Sequence, residues 1–157
     1  MKVDGLKFVR ENPKMFLSFE TATGFELCSK ILIDAMISGA QPVVVDKQEH
    51  WWIVASRTNW ISNNADGIAA SDLFRRIHPN PRAGANAMRN EILLAAFADQ
   101  IVLFQDCEFE IIRGTDKTRL PQVAGVDALE FRHGIAFTMP KDSPSSHCAS
   151  DSRPPAC

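Results

Sequence analysis

Glu26, Lys30 and Asp34 follow one another at four-residue steps, so on a helix they fall along one face. That row offers two chemistries. A carboxylate at Asp34 is a hard oxygen ligand of the kind magnesium accepts, and a carboxylate at Glu26 would have to reach its water to act as a general base. The ordinary reading is an exposed Glu26–Lys30 ion pair with an exposed or capping Asp34. A second group, Arg75, Arg76, His78, Arg82 and Arg89, surrounds Gly84. A helix starting just after Gly84 would point free N–H groups at a phosphate or other anion; the alternative is a solvated basic face. Trp51 and Trp52 are consecutive, so on a strand they point to opposite faces. One is expected in the core, and the other is expected, with Trp60, to touch a partner or stack on a ligand ring. His50, His133 and His147 lack the spacing of a metal site or a triad.

Those residues need elements to position them. Thr23 and Glu26 make a capping-box pattern, and Gly39 ends the helix that they open. Within it Cys28, Ile31, Leu32, Ala35 and Met36 recur at helical steps, predicting an apolar stripe against a sheet. A short helix is expected over about residues 5–12, stopped by Pro13. Another should begin at Ser71 or Asp72, carry Leu73, Phe74 and Ile77, and end before Pro79. A second long amphipathic helix is expected over about residues 86–98, through Met88, Ile92, Leu93, Ala96 and Phe97. Strand pairs are predicted at 43–45 with 51–55, and at 101–104 with 109–112 turning near Asp106. A last pair, carrying Leu129, Phe131, Ile135, Phe137 and Met139, should turn at His133-Gly134. The sum is an α+β protein, expected as a two-layer α/β sandwich: a mixed sheet with helices packed on one face.

The chain has 157 residues, 45% of them hydrophobic, enough for one core. One domain over residues 1–140 is expected, followed by a disordered tail over 141–157 rich in Ser, Pro, Asp and Arg. The ending from Ser152 to Cys157 reads like a junction read-through, as in proteins carried on mobile gene cassettes. A formal charge of -2 gives no global attraction for nucleic acid or anionic membrane. Cys28, Cys107, Cys148 and Cys157 have no paired close spacing and the start lacks a signal-peptide run, so a reduced, cytoplasmic protein is expected. No apolar run approaches the ~20 residues needed to span a bilayer.

Several segments, taken in order, resemble the GHKL ATPases, the superfamily of gyrase B, MutL, the large heat-shock chaperones and histidine kinases. Val9-Arg10-Glu11-Asn12-Pro13-Lys14-Met15-Phe16-Leu17 is similar to the Val-Arg-Lys-Arg-Pro-Gly-Met-Tyr segment that opens gyrase B-type domains. The helix after Thr23-Gly24 resembles the family's first pocket helix. Its exit Ser38-Gly39-Ala40-Gln41-Pro42-Val43-Val44-Val45 resembles that of MutL. Asp66-Gly67-Ile68-Ala69-Ala70-Ser71-Asp72-Leu73 is similar to the stretch after the adenine-binding loop. The run from Gly84 to Ala98 resembles the glycine-rich turn and helix ahead of the next strand. The likeness covers roughly residues 6–113.

The resemblance implies a Bergerat-like fold and an ATP site with magnesium, and the departures from it bear on activity. Where the family places the glutamate that polarises the attacking water, this chain has Lys30, which carries a proton already at neutral pH. Where the family has a magnesium-binding asparagine, it has Asp34, an oxygen ligand that can keep that role. The adenine-reading aspartate corresponds to Arg57 or Asn63, and the first glycine of its loop to Asn59 or Ala65; either choice removes the carboxylate acceptor that specifies adenine. The resemblance therefore implies a non-catalytic GHKL-like domain that binds a small ligand or a protein. Its ligand residues would be Lys30, Asp34, Arg57, Asn63, Gly67, Arg82, Gly84 and Arg89, with Trp51, Trp52 and Trp60 as partner contacts and Asp34 as the metal ligand. The alternative is a divergent magnesium-dependent ATPase using Glu26 or Glu91 as base. A homodimer whose old cleft has filled with side chains is the third possibility.

Overall fold

The computed structural model describes residues 4–62, 67–106, 108–114 and 130–141. Asn63, Leu129 and the tail expected beyond residue 141 lie outside them. Helix α1 (Gly5–Glu11) begins where Asp4 Oδ1 accepts the N–H groups of Leu6 and Lys7, at 3.1 and 3.3 Å. That satisfies two donors a helix start leaves free. Pro13 then opens a short 3-10 turn, Pro13–Met15. Helix α2 (Gly24–Ile37) is capped by Thr23, whose Oγ1 accepts from Glu26 N at 3.2 Å. Its end is a Schellman motif: Ala40 N donates to Ala35 O and Gly39 N to Met36 O, with Gly39 at φ 86°. Only a residue without a Cβ adopts that left-handed angle at little cost.

Five strands follow: β1 (Val43–Gln48), β2 (Trp51–Ser56), β3 (Gln100–Gln105), β4 (Glu108–Arg113) and β5 (His133–Thr138). They form one sheet in the order β1-β2-β5-β3-β4, with every pairing antiparallel. This corrects the expected mixed sheet. β1–β2 and β3–β4 are tight hairpins, turning at Glu49 and Asp106 with positive φ. β5 slots between them and runs opposite to both neighbours, so no parallel crossover is needed.

The register builds rows across the sheet. On one face Val54, Ile135 and Leu103 align, as do Trp52, Phe137 and Ile101; on the other, Ile53, Ala136 and Val102 align, then Ala55, Gly134 and Phe104. The first face meets Val9 of α1, Leu27, Cys28, Ile31 and Ala35 of α2, and the residues introduced next, in the main core. These are Leu73 of α3 (Ala70–Leu73) and Ile92 to Ala95 of α4 (Glu91–Phe97). The second face is buried too, in a smaller cluster of Trp51, Ile53, Ala55, Val102, Phe104 and Ala136. Burial on both sides explains why the central strands read as continuous apolar runs.

Four expectations need correction. His133-Gly134 is no turn: the pair opens β5, a single central strand among the described residues. A Cβ at Gly134 would collide with the Val54 carbonyl and the Phe104 ring, which lies opposite it, so this glycine serves close packing. The helix expected from residue 86 starts only at Glu91. Residues 78–89 instead close on themselves, with Asn80 N donating to Ala87 O and Arg89 N to His78 O, both at 2.8 Å. Those bonds engage the backbone groups that an earlier helix start would need. Met36 is 61% exposed, because the inward stripe of α2 is Leu27, Cys28, Ile31, Asp34 and Ala35. The short helix at α3 ends at Leu73 and leaves Ile77 at the surface.

Candidate functional site

Asp34 is the one charged residue on the buried stripe of α2. Its side chain is shut off from solvent, at 1% exposure. Oδ1 accepts from Asn80 Nδ2 at 3.2 Å and Oδ2 from the N–H of Asn90 at 2.6 Å. The carboxylate thus ties α2 to the 78–89 loop and to the residue that precedes α4. Beside it, Arg89 and Glu91 form a buried ion pair: Arg89 Nε donates to Glu91 Oε2 at 3.2 Å, and Nη2 bonds Oε1. Burial pushes the Asp34 carboxyl up to about 6, and the neighbouring Glu91 charge pushes the same way. The Asn90 N–H and Arg89 oppose them.

One turn earlier Glu26 and Lys30 do pair, with Nζ 3.9 Å from Oε1, but half-buried rather than exposed as expected, their side chains 12% and 29% exposed. Glu26 Oε1 also accepts from Ser18 N at 2.6 Å, which draws the 18–23 loop onto the start of α2. The capping box is therefore only half made. Thr23 serves the helix, while Glu26 serves the loop before it.

The other predicted ligand residues are dispersed. Arg57 pairs with Glu130 and lies over the Phe131 ring, 5.9 Å from its centroid. Gly67 and Gly84 hold positive φ in open loops. Arg82 is exposed, while Arg89 is buried against Glu91. Because α4 starts seven residues after Gly84, no helix start stands inside the Arg75, Arg76, His78, Arg82 and Arg89 group. The anion site expected there is not assembled.

Trp51 and Trp52 do face opposite sides of the sheet. The partner-contact role expected of Trp51 and Trp60 conflicts with their burial, at 6% and 1% exposure. Neither ring has surface to offer. Trp52 is half-buried, with Lys47 Nζ 4.7 Å from its centroid and Gly24 pressed against the indole.

The Asp34 cluster is built to hold elements together. The Arg89 guanidinium holds Glu91 while the Asn80 side-chain amide and the Asn90 N–H hold Asp34, a set in which each Asp34 oxygen accepts a hydrogen bond. Among the described residues no group of three or more His, Cys, Asp or Glu side chains stands where it could hold a metal ion. No described helix is long and apolar enough to cross a membrane. Sequence reasoning missed Asn80, whose place between Pro79 and Pro81 signals a turn and nothing about a carboxylate 46 residues earlier. No protein-family model matches the chain, and no curated protein matches it.

Proposed function

We propose that this chain is a degenerate GHKL-like domain that works by binding protein and turns over no nucleotide. The observation that carries the reading is the state of Asp34: the oxygens that would hold magnesium accept hydrogen bonds from Asn80 and Asn90. Lys30, at the position of the family's water-polarising glutamate, is engaged with Glu26.

The outer face of α2 supports a protein partner. Phe25, Ile33 and Met36 are 73%, 52% and 61% exposed and lie at helical spacing on one side. Phe19, equally exposed, sits in the loop that Glu26 holds to the helix. Together these side chains offer about 500 Å² of apolar surface, and a symmetric pair would bury about 1,000 Å², the lower bound of a specific interface. The row is self-complementary, since antiparallel α2 helices set Phe25 of one copy against Met36 of the other. A second copy of the chain is therefore the partner we assign.

Sedimentation equilibrium at micromolar concentration tests this together with calorimetry against magnesium-ATP. The expected result is a reversible dimer, made monomeric by Phe25→Ser, Ile33→Ser and Met36→Ser together, with no heat of nucleotide binding. A monomer at every concentration, or ATP hydrolysis lost in Asp34→Asn, overturns the proposal.

A further inference from the structure

A cavity of about 240 Å³ lies between α1, the end of α3, α4 and the edge strand β4. Its rim carries three guanidinium groups, from Arg10, Arg75 and Arg113, against one carboxylate, Glu110. Two of the three are fixed in place. Arg10 donates Nη2 to Ala95 O at 3.1 Å and Nε to Ala96 O at 3.3 Å, and Arg113 donates Nη1 to the same Ala95 O at 2.8 Å. These carbonyls belong to the last turn of α4, where partners are missing and a positive charge is favoured.

Sharing one acceptor makes the two guanidinium groups near neighbours. Each is a planar fork of five N–H donors, so Arg10 keeps three and Arg113 four for another acceptor. None of the three arginines has a carboxylate within ion-pair distance among the described residues. Two like charges held side by side are stabilised by an anion between them, and an Arg fork matches the oxygens of a carboxylate or phosphate. The floor is of another kind: Leu6, Phe74 and Ile112 are apolar.

We propose that this cavity binds a small organic oxyanion, with its charged group against Arg10, Arg75 and Arg113 and its apolar body against Leu6 and Ile112. Arg75 is the free arm of the site. It is exposed and makes no side-chain hydrogen bond to a described residue, so its removal leaves the fold intact, whereas Arg10 and Arg113 also cap α4. Glu110 opposes the anion and sets an upper limit on affinity.

Titration of the full chain with phenyl phosphate and benzoate at low ionic strength, followed by amide chemical shifts, tests the assignment. Saturable shifts are expected around Ser71, Phe74 and residues 110–113, weakened about tenfold by Arg75→Ala and strengthened by Glu110→Gln. Phenyl phosphate binding at least tenfold tighter than benzoate identifies a phosphomonoester as the ligand class; equal or reversed order identifies a carboxylate. Shifts spread over the whole surface, or affinity untouched by both substitutions, overturn the proposal. The α2 surface and this cavity lie on different elements, so either result leaves the dimer test unaffected.

Discussion

Replacing Asp34 by asparagine removes a titration that the buried cluster imposes on folding. Burial and Glu91 raise the Asp34 carboxyl from 3.8 to about 6. The folded state therefore holds this proton more tightly than the unfolded chain does. The stability that this contributes is fully present below about pH 4 and is lost as pH rises through about 6. A rise of roughly 2 units at ~1.36 kcal/mol each sets the full effect at ~3 kcal/mol, of which ~2 kcal/mol falls between about pH 4 and pH 7.5. The substituted amide keeps an oxygen for the Asn90 N–H, and the Asn80 amide can turn to accept from its new NH₂ group. We predict that Asp34→Asn gains ~2 kcal/mol relative to the parent over that pH range. Urea unfolding followed by tryptophan fluorescence reads it directly, since Trp60 is buried in the main core. Parallel pH profiles for parent and variant would refute the reasoning, because they would mean that the carboxylate is as well solvated in the fold as out of it.

Three further outcomes are expected. Gly134→Ala should destabilise by 1–3 kcal/mol or more, as overpacking does, because the added methyl meets the Val54 backbone and the Phe104 ring; an unchanged urea midpoint would contradict the described register. Arg89→Met leaves Glu91, 0% exposed, without its guanidinium. The loss should be about 3–5 kcal/mol at neutral pH, and thermal melts of parent and variant measure it. Cys28 is buried and its thiol is pushed up to about 11 by that burial. Iodoacetamide at about pH 8 should leave the Cys28 peptide unmodified until denaturant is added, since the thiolate is the reactive form; rapid native-state labelling by mass spectrometry would count against the placement.

Local chemistry made much of the framework legible. The Thr23 cap, the Gly39 stop and the Asp106 turn depend on groups a few residues apart, and each appears where its residues are. The boundaries that failed are those where distant chain competes. Residues 86–90 have a helical pattern, but backbone bonds from 78–80 take their donors and acceptors first. His133-Gly134 has a turn composition, yet Phe104, thirty residues earlier in sequence, uses the missing Cβ as packing space.

The same division holds for the candidate sites. From the sequence alone came the α+β class, the Glu26–Lys30 pair and the place of Asp34 on a core-forming helix, because all three follow from spacing along one element. Whether Asp34 faces a ligand or Asn80, and whether Arg10 stands beside Arg113, is decided only when α2, α4, β4 and the 78–89 loop are brought together. Those contacts join residues tens of positions apart, and no periodicity encodes them. What a charged side chain can do depends on how much water and which partners surround it, and both are set by the tertiary fold.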